Sequence, residues 1–195
     1  MTPNSERRSD RAREAILAAA LELTADPGFQ ATSVEAIAKR AGVGKQTIYR
    51  WWPSKGAVVL EALGERAGQT LEFPDTGDIV TDLRTQMDGV AELLGNPQFA
   101  GFAGLVGAAQ SDPSLSRTLI DGIIGPRVAA CRKRLESAQQ AGQLRDDVDL
   151  DEVIELLYGP IYYRLLFRTR PITPDIATHI LDLAFAGLRP PTDPR

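Results

Sequence analysis

The segment Ala31-Thr32-Ser33-Val34-Glu35-Ala36-Ile37-Ala38-Lys39-Arg40-Ala41-Gly42-Val43-Gly44-Lys45-Gln46-Thr47-Ile48-Tyr49-Arg50-Trp51-Trp52-Pro53-Ser54-Lys55 decides how the chain is read. Thr32-Ser33-Val34-Glu35 has the form of a capping box, in which the threonine oxygen and the glutamate three residues on satisfy the first free N–H groups of a helix. That helix buries Val34, Ile37, Ala38 and Ala41 and stops at Gly42, whose missing Cβ permits a left-handed turn. After Val43-Gly44 a second short helix spans roughly Lys45 to Trp52. Ile48 and Trp52 lie four apart and face inward, so Lys45, Gln46, Thr47, Tyr49 and Arg50 face outward. Pro53 breaks this helix, and Ser54 caps the next, which starts at Lys55.

Two short helices about a tight glycine turn let the second enter a major groove about 12 Å wide while the first braces it. The outward residues have the right chemistry. Gln46 can pair bidentately with adenine, Lys45 can reach guanine acceptors, Thr47 can meet a thymine methyl or a phosphate, and Tyr49 can donate to a phosphate. Trp51 adds an indole N–H, and Lys55 at a helix N-terminus favours a phosphate. With Thr32, Ser33 and Gly44 these form the candidate DNA-binding set. A short helix bearing Lys, Gln and Thr is by itself also an ordinary solvated face, and it is the combination of caps, turn and core positions that favours DNA.

Working outward, Ala12, Ala15, Ile16, Ala19 and Leu23 mark a helix over about 10–25, ended by Asp26-Pro27-Gly28, with Phe29 as a plug into the core. The Lys55 helix carries Val59, Leu60 and Leu63 and fades by about Thr70, where Phe73-Pro74-Asp75-Thr76-Gly77 reads as a connector. Further helices are expected near 78–95, 97–110, 114–141, 149–168 and 174–188, and the tail from Arg189 to Arg195 should fray. Period-two alternation is absent. The expected fold is all-α with about nine helices: an N-terminal three-helix helix-turn-helix domain at 10–70 and a C-terminal helical domain at 71–195 that binds ligand and dimerises.

Composition narrows the function. With 195 residues and 43% hydrophobic content the chain can build a real core. Cys131 and His179 are the single cysteine and histidine, so neither an intrachain disulfide nor a Cys/His metal cage can form, and no metal or other cofactor is expected. No run of 18 apolar residues occurs and the first ten residues are polar, so no membrane association is expected and a cytoplasmic location is. Residues 1–56 hold nine Lys/Arg against six acids while the whole chain is −4, so only the N-terminal end is basic enough to favour a polyanion. Arg7, Arg8, Arg11 and Arg13 fit either a polar tail or an arm that touches DNA. An enzyme is disfavoured: no catalytic set stands out, because Asp146, Asp147, Asp149, Asp151 and Glu152 read as a loop and an acidic helix start. A ligand-binding scaffold that no longer reads DNA is disfavoured by Gly42, Tyr49 and Lys55.

In 149–168, Leu150, Ile154, Leu157, Ile161 and Leu165 make one apolar stripe, and Tyr158, Tyr162 and Leu166 make a second. Such a helix is buried on two sides. A partner subunit can cover one of them, with Ile176, Ile180, Leu183 and Ala184 of the last helix completing an intermolecular four-helix bundle. The candidate dimer interface is Ile154, Ile161, Leu165, Ile180 and Leu183, although a core helix in a monomer fits the same stripes. Phe99, Phe102, Leu105, Val106, Ile123, Ile124, Tyr158 and Tyr162 are candidates for an apolar ligand pocket or for plain core. Few charged residues are expected to point inward, which favours a small hydrophobic effector.

Residues 31–38 and 41–55, within a match over about 10–70, resemble the DNA-binding domain of the TetR family of repressors. The resemblance implies a homodimer, a roughly palindromic double-stranded DNA operator, and release of DNA when an effector binds the C-terminal domain. Gly44 departs from the pattern, standing where the family often has a serine cap, at a cost of about a few tenths of a kcal/mol. Gly142-Gln143-Leu144-Arg145-Asp146 and Gly159-Pro160-Ile161-Tyr162-Tyr163-Arg164-Leu165-Leu166 are similar to one TetR subgroup.

Overall fold

Short polar side chains mark where several helices begin. Ser33, Ser54, Asp112 and Asp149 each accept a hydrogen bond from a backbone N–H in the first turn of the helix that follows. The structure, a computed structural model, describes residues 3–68 and 73–190, with side chains from residue 9 onward. The described residues hold α1 (Pro3–Leu23), α2 (Val34–Ala41), α3 (Lys45–Trp51), α4 (Lys55–Ala67), α5 (Ile79–Gly95), α6 (Ala100–Ala109), α7 (Pro113–Leu119), α8 (Gly125–Gln140), α9 (Leu150–Phe167) and α10 (Asp175–Leu188), and no strand. A π-helical turn at Ile120–Ile124 joins α7 to α8, so these make nine helices, in the all-α arrangement expected. The first begins well before Asp10, because its opening turns are polar and carry no apolar stripe that periodicity could register. The side chains of Arg7 and Arg8, the expected helix end at Thr70 and the tail from Pro191 lie outside the described residues.

Packing sorts the helices into two compact units, α1 to α4 with α6 and α7 in one, and α5, α8, α9 and α10 in the other. The expected division at residue 70 had placed α6 and α7 with the C-terminal helices. Glycines let α6 sit against the turn that ends α1. A Cβ at Gly101 would lie 2.8 Å from the Thr24 carbonyl oxygen, and one at Gly104 would lie 3.1 Å from the Phe29 Cβ. Ile16, Ile37, Ile48 and Leu63 are the fully buried centre of this first unit. Arg13 pairs with Glu61 and Glu65, and Glu61 also accepts the Trp52 indole N–H at 2.6 Å.

The second unit packs Leu83 and Met87 of α5 with Leu135 of α8 and Leu157 and Ile161 of α9. One ion pair lies within this core. The Asp82 carboxylate is fully buried and accepts from Arg134 Nε at 2.7 Å and from the Thr76 hydroxyl at 2.7 Å, with Arg134 Nη2 2.6 Å away in the same ion pair. Gln143 adds a clamp, its Oε1 accepting from the Ile79 N–H and its Nε2 donating to the Gly77 carbonyl, each at 2.8 Å. Burial alone would raise the Asp82 pKa, but the Thr76 donors and the guanidinium outweigh it and hold the carboxyl below its usual range.

Asp82→Asn is expected to cost about 3–5 kcal/mol, because it leaves a buried guanidinium uncompensated. The urea midpoint at neutral pH measures this, and an unchanged midpoint would show the pair to be dispensable. The folded pKa lies below the unfolded one, so this stabilisation is complete above about pH 4 and is lost as pH falls through the folded value. The wild-type and variant midpoints should therefore converge in acid.

Candidate nucleic-acid interface and effector cavity

The start of α2 is fixed by two hydroxyls with different jobs. Ser33 is the cap: its Oγ accepts from the Ala36 N–H at 3.1 Å. Thr32, expected to cap and to be part of the DNA-binding set, is only 4% exposed, and its hydroxyl donates to the Leu23 and Gly28 carbonyls at 2.8 and 2.9 Å. It ties the end of α1 to the start of α2 and does not present its hydroxyl outward. A capping box read from sequence cannot say which of two adjacent hydroxyls turns inward.

Gly42 ends α2 at φ 68°, with its N–H donating to the Ala38 and Lys39 carbonyls, and the Val43 N–H returns to the Ala38 carbonyl at 3.0 Å. Gly44 then serves as the N-cap of α3 without a side-chain bond. Ile48 and Trp52 are buried and set the rotation of α3. Lys45, Gln46, Tyr49 and Arg50 consequently lie on its exposed side, Tyr49 being 52% exposed, while Thr47 and Trp51 are half-buried. Lys45 stands 3.4 Å from Glu35, an exposed pair that burial does not strengthen. The Arg50 guanidinium lies 5.2 Å from the centre of the Trp51 ring, which meets Trp52 edge to face.

Lys55 departs from its expected role. Its ammonium donates to the Phe29 and Thr32 carbonyls, both at 2.7 Å, and lies 4.3 Å from the centre of the Phe29 ring. Burial lowers its pKa. These carbonyls belong to the turn before α2, so Lys55 binds that turn to α4 and leaves little for a phosphate. The signal was mistaken because sequence shows a cation at a helix start, but not the carbonyls that the fold brings to it.

In the second unit a cavity of about 460 Å³, part of it open to solvent, lies among three helices. Gln86 and Val90 come from α5; Ile124, Arg127, Val128 and Cys131 from the helical run ending in α8; Ile154, Tyr158 and Tyr162 from α9; and Phe73 from the connector. Of the expected pocket residues, Ile124, Tyr158 and Tyr162 are there. Phe99, Phe102, Leu105, Val106 and Ile123 are not: they belong to the first unit, where Phe99, Phe102, Leu105 and Ile123 are buried. Sequence reasoning missed Gln86, Arg127 and Cys131, although Ile124, Arg127, Val128 and Cys131 have the spacing of one helix face. Tyr158 donates to Gln86 Oε1. Burial pushes the Cys131 thiol up to about 12 and raises Tyr158 and Tyr162 as well, so all three are neutral at pH 7. Burial also lowers the pKa of Arg127, whose charge acts on Tyr162 in the opposite sense.

The apolar stripes of α9 are distributed differently from expectation. Ile154, Ile161 and Ile180, expected at a dimer interface, are buried within their own unit, Ile161 completely, and Leu165 is half-buried. Leu183 is 81% exposed, and with it on the surface stand Leu156, Tyr163, Leu166 and Phe167. Leu156, Pro160, Leu183 and Gly187 line a groove between α9 and α10. Sequence shows how many stripes a helix carries, but not which of them its own neighbours cover.

No helix of the described residues is long and apolar enough to cross a membrane, and no group of His, Cys, Asp or Glu side chains among them is placed to hold a metal ion. The chain matches the pattern of the bacterial regulatory proteins of the tetR family over residues 16–62 and that of the tetracyclin repressor-like C-terminal domain over residues 73–184. It is 35% identical over 182 residues to the HTH-type transcriptional regulator YdeS of Bacillus subtilis, covering 93% of this chain and 92% of that protein. It is 26% identical over 159 residues to the DNA-binding transcriptional repressor TetR of Mycobacteroides abscessus, covering 81% and 84% of the two chains. The solved structure of the TetR family transcription regulator SCO0332 superposes with a TM-score of 0.74 at 34% identity, over 92% of this chain and 99% of that one. With α2 and α3 in the helix-turn-helix arrangement and both halves matched, the chain belongs to the TetR family of bacterial helix-turn-helix transcriptional regulators.

Proposed function

We propose that the chain is a homodimeric repressor that reads a near-palindromic operator with α3 and releases it when a small, largely apolar effector enters the cavity among α5, α8 and α9. The observation that carries this reading is the outward face of α3, where Lys45, Gln46, Tyr49 and Arg50 stand together on a helix whose opposite side is locked by Ile48 and Trp52. Gln46 and Lys45 read base edges. Thr47, Tyr49, Trp51, Ser33 and the Gly44 backbone meet phosphates, and the side chains of Thr32 and Lys55 support them from behind. The repressor role follows the Mycobacteroides relative, whose name states it. The work takes place in the cytoplasm, with the chromosome.

A dimer places two copies of α3 about 34 Å apart, the spacing of successive major grooves. The exposed apolar side chains of α9 and α10 are the surface for it, since so many large apolar groups on one face call for a partner. Control by ligand has a covalent route. The chain passes from one compact unit to the other at Ile123–Ile124, inside the π-helical turn. Cavity residues begin at Ile124, and Leu115 of α7 lies against Gly56, the second residue of α4, which follows the reading helix directly.

Gln46→Ala is expected to relax base choice at one operator position by about 1–3 kcal/mol, whereas Tyr49→Phe should weaken all sequences alike. Selection of bound sequences from a random duplex pool reads both, and an unchanged preference at every position for Gln46→Ala would remove Gln46 from base readout. Lys55→Met is expected to lower stability without DNA by about 1–3 kcal/mol, because it strips the Phe29 and Thr32 carbonyls of a charged donor. A urea midpoint equal to wild type, with DNA binding lost, would return Lys55 to phosphate contact. Leu183→Glu should give a folded monomer by sedimentation, and Ile161→Glu should unfold the chain, because only the first residue is exposed. A wild-type monomer at micromolar concentration would defeat the dimer.

A further inference from the structure

Sequence reasoning expects few charged residues to point inward, and the cavity wall contains one. Arg127 shares a stripe with Ile124, Val128 and Cys131, and its side chain helps to line an otherwise mostly apolar space. Among the described lining residues no other is acidic or basic, so the formal charge they bring to the wall is a positive one. Tyr162 stands near the guanidinium, and the Gln86 amide and Tyr158 hydroxyl add the remaining polar groups.

We propose that the effector is an organic monocarboxylate, with an acyl chain or single aromatic ring in the apolar part of the cavity and its carboxylate on the Arg127 guanidinium. This rests on the reading of the cavity as the effector site. Arginine presents a planar fork of donors that matches a carboxylate with two parallel N–H···O bonds, and such bonds are strong where water is scarce. Arg134, on the same helix, donates from its Nε to the buried Asp82 carboxylate in the core of the same unit. A single positive charge matches a monoanion, and a di- or trianionic phosphate would bring surplus negative charge into an apolar wall. The enclosed part of the space is small, about 80 Å³, and suits a compact skeleton. Discrimination arises from desolvation. A neutral ligand of the same shape takes water from the guanidinium without replacing its hydrogen bonds in kind, whereas a carboxylate replaces them.

The test uses the full-length protein and matched probes: the straight-chain carboxylates from hexanoate to dodecanoate, with phenylacetate and 4-phenylbutyrate, each beside the primary amide of the same skeleton. Calorimetric titration is expected to show the best carboxylate binding about ten- to a hundredfold tighter than its amide. Arg127→Met should bring the two within about twofold of each other, and Arg127→Lys should keep the preference at reduced size. An amide that binds the wild type as well as its carboxylate overturns the proposal, as does an Arg127→Met protein that folds and keeps the wild-type ratio. Should Arg127→Met fail to fold, the wild-type ratio decides alone. If amides bind and carboxylates do not, the cavity remains the effector site and the charge assignment falls. If no probe binds at millimolar concentration, the carboxylate proposal falls and the cavity loses its support as well.

Discussion

Seven residues cannot form a helix that persists alone in water, because the nucleation cost of the first turn exceeds what so few hydrogen bonds return. Helix α3 is such a segment, Lys45 to Trp51, and its cap at Gly44 supplies no side-chain acceptor. It exists because Ile48 and Trp52 are buried, and because Trp52 is fixed further through its indole bond to Glu61 of α4. Everything that α3 offers to a duplex depends on this anchoring. A rotation of the helix by one residue would carry Gln46 and Tyr49 away from the surface.

The supports of α3 lie one layer behind the exposed face. Thr32 bonds to the Leu23 and Gly28 carbonyls, Lys55 to the Phe29 and Thr32 carbonyls, and Ser33 and Ser54 cap α2 and α4. Thr32 and Lys55, which residue type alone would assign to DNA, are thus engaged in holding helix ends together. The division is economical in chemistry. Carbonyls at the end of α1 and in the turn before α2 need donors, and the Thr32 hydroxyl and the Lys55 ammonium provide them.

The second unit uses two arginines on α8 in different ways. Arg134 is buried with Asp82, whose carboxylate also accepts from Thr76 of the connector, so its role is internal. Arg127, two turns earlier, opens onto the cavity. Helix α9 serves three surfaces at once: Leu157 and Ile161 the core, Ile154, Tyr158 and Tyr162 the cavity, and Leu156, Tyr163 and Phe167 the exterior. A helix apolar on nearly all sides can meet all three demands, which is why its sequence shows no clean polar face.

Local chemistry in the sequence by itself determined the helices, the glycine turn at Gly42 and the inward pair Ile48 and Trp52, because caps, φ restrictions and 3.6-residue spacing act within a few residues of each other. The family pattern was legible for the same reason, since its signature is carried by one continuous stretch. Tertiary structure alone decided that Thr32 and Lys55 turn inward, that Phe99 and Phe102 pack with the first four helices, and that Leu183 is exposed where Ile161 is buried. It alone put Gln86 and Arg127 on one cavity wall. Each of these depends on which groups distant in sequence arrive beside a residue, and hydrophobic periodicity has no information about that: it records that a face must be covered, but not what covers it.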